Sequence, residues 1–544
     1  MTTRTRTDVL LIAGFCAFLF FYGLAQFGLV GADEPRYAQV AREMLERHDW
    51  ITPVLNGRPW LEKPPLYYWQ AMLAYSQFGV TDWAARIPAA VDATLMVVAV
   101  YLFFRRFRHS LEVDAALITA SCTGVIGYAR AASMDMALAA VFTLGMLAWW
   151  AWRESGKRVY LALFYVAMAL GMLAKGPVAP LLAGAVIVLH AAATREFRLP
   201  LKTLWLPGVL LFCAISLPWY IAVQVRNPEF FRVFILEHNL ARFSSDLYHH
   251  RAPFWYYVPV TALAMLPWTV FVLAALVQTL RVWWTERRSA TARESDFEFQ
   301  FRLFVCGWLV VPVIFFSISQ SKLPGYILPA VPAAALLLAD YLRHHLQDES
   351  PEPLSKWLVV FHALLAAAPF VPALLIAHLL VDRRLPGGKP ILLALAAAFV
   401  LASGIALTLV SKRGLRMLRF MTLIPVILSM GAVLRIGSTD LDRMLSTRSL
   451  AGEISTKETH SFPFAVFHVS RELEYGLTFY RNQPSMRYEW GQIPSEEHLV
   501  VTPENWQAEV TKQTAGRRVL FLGRYGPQHV DYFWVSAAGS SHQH

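Results

Sequence analysis

The sequence predicts a polytopic α-helical membrane protein that ends in a small α/β domain outside the membrane. Three observations carry this reading. Of 544 residues, 56% are hydrophobic and only 16% charged, against roughly 25% charged in a soluble domain. Apolar runs of membrane-spanning length, about 18 residues or more, recur along most of the chain. From about Gly437 the pattern changes: short β-forming runs at 464–469, 498–502, 518–522 and 532–535 alternate with helix-compatible polar stretches, the mark of a small α/β fold. The expected division is a transmembrane domain over 1–436, including an outer loop at 31–86, and an outer domain over 437–544.

Apolar spans are read near 8–29, 87–104, 113–129, 134–151, 159–174, 177–193, 203–223, 254–280, 303–319, 326–341, 357–380, 391–410 and 418–435, about thirteen helices in all. The first follows Arg4 and Arg6 but is long and has no small-residue cleavage site before Asp33, so it reads as an uncleaved anchor. Arginine and lysine are concentrated in one set of loops (Arg105/Arg106/Arg108, Arg153/Lys157/Arg158, Arg195/Arg198/Lys202, Arg281/Arg287/Arg288/Arg293, Lys412/Arg413/Arg416). The positive-inside bias makes that set cytoplasmic, together with the N-terminus. Residues 31–86, 224–253, 320–325 and the C-terminal domain then face the other side. The net charge of +11 is a topology signal, and nucleic-acid binding is excluded as its explanation. The 18 Trp and 20 Tyr suit membrane interfaces. The four cysteines each lie inside an apolar run, without metal-ligand spacing, and read as small buried hydrophobes.

Within the first outer loop, 35–47 opens with Pro35, a good first helical residue. Tyr37, Val40, Ala41, Met44 and Leu45 recur there at helical spacing opposite Arg42, Glu43, Glu46 and Arg47. This predicts an amphipathic helix on the membrane surface, and 64–78 predicts a second.

The chemistry-bearing residues gather at the outer ends of the spans. Asp33 and Glu34 lie at the mouth of the first span, where charge is costly unless used or paired. Glu34 is expected to pair with Arg36 or a loop amide, leaving Asp33 as the reacting carboxylate. Lys63, in EKPP, is a compact point charge suited to a phosphate, stiffened by Pro64 and Pro65, with Glu62 as its neighbour. Asp135 opens the fourth span at a comparable depth. His238 and Arg242, in EHNLARF, invite a proton-carrier or ligand role and an anion contact. Lys322 and Tyr326 flank the turn LPG, where both can meet a phosphate. For each there is a plain structural alternative: a helix-capping acid, a snorkelling lysine or an interfacial anchor.

Taken in order, DEPRYA at 33–38, EKPPLYYW at 62–69, the aspartate of the fourth span, AKGP at 174–177, EHNLARF and HRAPFWYY at 237–257, and SKLPGYILP at 321–329 resemble the bacterial aminoarabinose transferase family. That family is grouped with the protein-mannosyltransferase-like glycosyltransferases of the C type, and the resemblance covers roughly residues 10–345. It implies a C-type glycosyltransferase fold in a bacterial inner membrane, with an active site facing the periplasm. It also implies transfer of a sugar, aminoarabinose or another pentose or hexose, from undecaprenyl phosphate to lipid A or another periplasmic glycan or protein. Carried over by motif, Asp33, Glu34 and Asp135 form the catalytic group. Lys63, Arg242, Tyr326 and Lys322 hold the donor phosphate, and Arg36, Tyr37 and Tyr67 contact substrate. Glu62 and His238 match positions associated with a divalent metal (zinc, magnesium or manganese), for which no third ligand is found in the sequence. A polyprenyl-linked sugar flippase is the rival class. It would carry charges at mid-bilayer in repeated, interrupted helices, whereas here they collect on one face. A protein O-mannosyltransferase-like enzyme is the other alternative.

Overall fold

Every one of the thirteen apolar runs contains helix in the computed structural model, which describes residues 3–241, 252–288, 297–347, 355–381, 389–410, 414–514 and 516–538. Among the described residues nine helices are long and apolar enough to cross a membrane, and a bent pair, Phe254–Ala264 with Thr269–Thr285, makes a tenth. The remaining runs are shorter or broken. The 113–129 run splits into Glu112–Ser121 and Thr123–Ala129 at an extended Cys122, and Val178–Thr194 has 17 residues. The first run stops being helical at Phe21, eight residues before its expected end. Gly23 takes φ +72 there, a left-handed turn that glycine adopts without strain. The helix-end carbonyls of Leu19 and Tyr22 accept hydrogen bonds from Arg130 at 3.1 and 2.8 Å.

The chain forms two compact units. The first comprises Met1–Tyr22, Leu61–Tyr67 and Ile87–Ile436 and contains the membrane helices. Its interior holds a cluster of large rings in which Trp149, Trp150, Phe304 and Trp308 are fully buried. Three of the four free cysteines are buried as expected, whereas Cys213 is half-buried.

The second unit comprises Gly23–Trp60, Tyr68–Arg86 and Gly437–His544. This grouping differs from the boundaries read from sequence, which leave residues 31–86 with the membrane part. Its first portion holds the helix Asp33–Glu46 and a two-stranded hairpin, β1 (Val54–Leu55) and β2 (Arg58–Pro59), turning at Asn56-Gly57. The helices expected at 35–47 and 64–78 are found at Asp33–Glu46 and Leu66–Phe78, the latter entering the unit from Tyr68 onward.

Five further strands form one mixed sheet: β3 (Phe464–Val466), β4 (Met486–Arg487), β5 (His498–Pro503), β6 (Val519–Tyr525) and β7 (Val530–Val535), in the order β4-β3-β5-β7-β6. β3 runs parallel to β4 and β5, and β7 is antiparallel to β5 and β6. Both faces of the sheet are covered, as the alternation of side chains requires. Phe464, Val466, Leu499 and Val501 pack on one face with Leu450, Ile454 and Leu477, while Ala465, Val500 and Phe533 pack on the other.

Segments 366 to 451 residues apart are stitched together within this unit. The Gly28 amide donates to Asp442 Oδ1 at 2.6 Å and the Leu29 amide to Tyr480 Oη at 2.7 Å. Arg448 reaches Asp82 at 2.9 Å, Asp442 at 3.1 Å and the Ala25 carbonyl at 3.1 Å. Arg42 donates to the Phe479 carbonyl at 2.8 Å and to Asn482 at 2.9 Å. Gly28 has to be glycine for this approach: a Cβ there would lie 2.3 Å from both Ser446 Oγ and Tyr480 Oη.

Candidate active site

The charged residues singled out in the sequence divide between the two units, and each group is described by itself. In the second unit, Asp33 and Glu34 open the helix Asp33–Glu46, where carboxylates are favoured by the backbone dipole. Their fates diverge. Asp33 is half exposed, at 52%, and its carboxylate pairs with Arg36. The Arg36 guanidinium stacks within 5.0 to 5.6 Å of the rings of Tyr37, Trp60 and Tyr475, an aromatic box that holds the cation and with it the carboxylate.

Glu34 is buried. One oxygen accepts the Val30 amide at 2.8 Å and the Arg86 guanidinium at 2.6 Å, and the other takes Arg86 Nε at 3.3 Å. Arg86 is itself 1% exposed and also donates to the carbonyls of Leu24, Phe27 and Gly28 at 2.7–3.1 Å. Arg36 therefore partners Asp33 rather than Glu34, which corrects one of the two pairings expected, while the loop amide expected for Glu34 is found. The reason is direction: adjacent side chains at a helix start diverge, and Glu34 points inward where Arg86 arrives. Of the two acids, Asp33 is the exposed one and Glu34 holds the loop.

In the first unit, Ser133 caps the helix Met134–Ser155. Its hydroxyl accepts the Asp135 amide and donates to the Asp135 carboxylate at 2.8 Å. Lys175, the last residue of the neighbouring helix Arg158–Lys175, forms an ion pair with Asp135, and its ammonium lies 4.6 Å from the centre of the Tyr326 ring. Gly325 packs against the same carboxylate; a Cβ there would come within 2.8 Å of Asp135 Cγ and 2.7 Å of Tyr128 Oη. The Tyr257 hydroxyl pins the loop by accepting the Leu323 amide and donating to the Leu323 carbonyl. Lys63 is half-buried and close enough for its charge to act on Asp135. Asp135, Lys63 and Tyr326, singled out separately in the sequence, thus share one neighbourhood.

Several expected site residues stand elsewhere. Lys322 is buried, its ammonium donates to the Ser319 carbonyl, and burial pulls its pKa below the ordinary lysine value. That contact helps close the turn. Tyr67 is fully buried in the first unit, and Tyr37 is buried at the rim of the Arg36 box. Arg242 and the side chain of His238 lie outside the described residues. Glu62 is half-buried, and among the described residues no three His, Cys, Asp or Glu side chains converge as a metal site. Two residues were not singled out: Lys175 had a signal in the AKGP motif, and Arg86 had none beyond being an arginine at the edge of an apolar run.

A family model described as dolichyl-phosphate-mannose-protein mannosyltransferase matches residues 7–234. The undecaprenyl phosphate-alpha-4-amino-4-deoxy-L-arabinose arabinosyl transferase of Aeromonas salmonicida is 30% identical over 443 residues, covering 79% of this chain and 78% of that protein. The chain belongs to this arabinosyl transferase family. The relative of the same name from Pseudomonas aeruginosa is 33% identical over 353 residues, and there the matched part spans 63% of this chain and 61% of the relative. ArnT from Cupriavidus metallidurans in the apo state superposes with a TM-score of 0.74 at 23% identity, covering 98% of both chains. Its structure bound to undecaprenyl phosphate gives 0.73 at 24%, covering 97% of both. The arabinosyl transferase fold thus extends over the whole chain, a multi-pass membrane protein with a C-terminal α/β unit.

Proposed function

We propose that this protein is a glycosyltransferase of the bacterial inner membrane. In this reading it moves a sugar, 4-amino-4-deoxy-arabinose or a related pentose or hexose, from undecaprenyl phosphate to a periplasmic acceptor such as lipid A. The similarity to the Aeromonas salmonicida transferase over most of both chains carries the reading. The chemistry of the two constellations supports it. The bond between the anomeric carbon and the donor phosphate oxygen breaks, and the acceptor oxygen forms the new glycosidic bond. Any proton on that oxygen passes to Asp33, the exposed carboxylate. Negative charge grows on the departing phosphate, where fixed cations are most effective. Lys63 and Arg242 are the cations assigned to it, together with the Tyr326 hydroxyl. Asp135 and Lys175 organise that neighbourhood.

Lys63→Ala and Arg242→Ala are each expected to lower donor use more than tenfold with the fold intact. Losing a charged contact to a sequestered anion costs on the order of 2–5 kcal/mol. The assay is transfer from a synthetic undecaprenyl-phosphate sugar in proteoliposomes, and wild-type kinetics in both variants would move the phosphate site elsewhere. The mannosyltransferase family match favours a second reading, a protein acceptor, and the same assay with peptide in place of lipid A decides between them. The periplasmic orientation has its own test. A reporter fused after Arg108 should report cytoplasm and one fused after Asp440 periplasm; the same side for both would overturn the topology.

A further inference from the structure

We propose that Tyr475, in the C-terminal part of the second unit, is a positioning residue for Asp33 and acts on it through the Arg36 guanidinium. The proposal rests on the transfer reading, in which Asp33 is the reacting carboxylate. Tyr475 lies on the helix Arg471–Arg481, whose start Ser470 caps by accepting the Leu473 amide at 3.3 Å. Leu473 and Leu477, one turn apart, bury into the hydrophobic core on one side of the sheet. Tyr475 and Phe479, also one turn apart, meet instead the helix Asp33–Glu46. Beside Tyr475, Glu474 is buried and accepts from Arg487 Nε and Ser485 Oγ, both at 2.8 Å. The Tyr475 ring is therefore buried on a helix anchored from both sides.

Two arginines of the helix Asp33–Glu46 rest on these two rings, and they differ in what they hold. Arg42 lies 4.3 Å from the centre of the Phe479 ring and donates to the second helix itself, to the Phe479 carbonyl at 2.8 Å and Asn482 Oδ1 at 2.9 Å. Arg36 lies 5.6 Å from the centre of the Tyr475 ring, and its Nη2 is bonded to Asp33 Oδ1. A carboxylate in place of Tyr475 would compete with Asp33 for the hydrogens of the guanidinium. An aromatic face attracts the cation through its quadrupole and claims no N–H from it. The ring restrains the arginine and leaves its hydrogens to Asp33. Tyr37 and Trp60 belong to the same segment as Asp33, whereas Tyr475 belongs to residues 437–544. A small displacement of a reacting group costs a large factor in rate, so this one ring gives the C-terminal fold a hold on the chemistry.

The test uses the full chain in nanodiscs, with the synthetic undecaprenyl-phosphate sugar as donor and lipid A as acceptor. Tyr475→Leu should lower kcat about tenfold and leave both KM values unchanged, the effect of a reacting group held less well. Tyr475→Phe keeps the ring and should hold kcat within about threefold of wild type. Mono-, di- and trifluorinated phenylalanine at the same position keep the shape and drain the quadrupole, so kcat should fall stepwise along that series even if Tyr475→Leu does not fold. Phe479→Leu removes a ring from the same helix contact without touching Arg36; it should lower the melting temperature and leave kcat unchanged. Labelling of Asp33 by a water-soluble carbodiimide, read by mass spectrometry, needs no turnover. It should run about fivefold faster in Tyr475→Leu, where the exposed ion pair is loosened, and at the wild-type rate in Phe479→Leu. Wild-type kcat in Tyr475→Leu, a flat fluorination series, or an equal fall in kcat in Phe479→Leu would each overturn the proposal. A wild-type protein that transfers nothing would sink the transfer reading, and the labelling rates would then decide by themselves whether Tyr475 holds Asp33.

Discussion

Asp33→Asn is expected to lower sugar transfer by at least about 100-fold, the loss that follows when a positioned acid–base group is removed, and to leave donor affinity little changed. The expectation follows from the geometry of one helical turn. Asp33 is the exposed member of an acidic pair, held by an arginine that three aromatic rings immobilise. Asparagine keeps the size and the hydrogen-bonding capacity but neither the charge nor the basicity, so the loss falls on kcat. Comparing kcat with donor KM separates this from a fault in the fold, which would move both. Turnover near wild type would remove Asp33 from the reacting centre, and the transferase mechanism would lose its base.

Arg86→Met is expected to destabilise the protein by about 3–5 kcal/mol, because it leaves the Glu34 carboxylate buried without its counter-charge. Three backbone carbonyls also lose their donor. Glu34→Gln strands Arg86 in the same way, so its damage comes through folding and not through chemistry. The double variant Glu34→Gln/Arg86→Met should be less destabilised than the sum of the singles, the signature of two residues that act as a pair. Thermal unfolding of the purified protein measures all three. A wild-type melting temperature in Arg86→Met would show that the network does not hold the loop.

The parts of this molecule that were legible in the sequence are those encoded by neighbours. Helical periodicity places Tyr37, Val40, Ala41, Met44 and Leu45 on one face of Asp33–Glu46; the first four are buried and Leu45 half-buried, whereas Arg42, expected opposite them, is buried as well against Phe479 and Asn482. Four of the five strands of the C-terminal sheet coincide with the β-forming runs at 464–469, 498–502, 518–522 and 532–535. The exception, Met486–Arg487, is two residues long and carries no pattern of its own; it pairs only because β3 offers an edge. The hairpin at 54–59 was signalled by Asn56-Gly57, a strong turn pair, but its strands are too short for period-2 alternation. Among site residues, Asp33, Lys63 and Asp135 stood out because charge at a span end is expensive. Arg86 did not, because its partners lie 52 to 62 residues upstream, and a span-end arginine next to an apolar run reads as a topology signal. Lys322 stood out for the same reason as Lys63, and its ammonium donates within its own turn; type and position alone do not show such a local contact.

The stitching of residues 25–42 to residues 442–482 has a consequence for biosynthesis. Asp442 holds a backbone amide 414 positions earlier in the chain. At about 5–20 residues per second, ribosomes separate the emergence of these partners by roughly 20–80 s. Throughout that interval the loop preceding Asp33 has already been made but lacks its clamp. A chain released early by truncation or stalling would insert its helices and still have an unset loop. The last hundred residues thus serve as a completion check, in which the newest part of the polypeptide finishes the oldest.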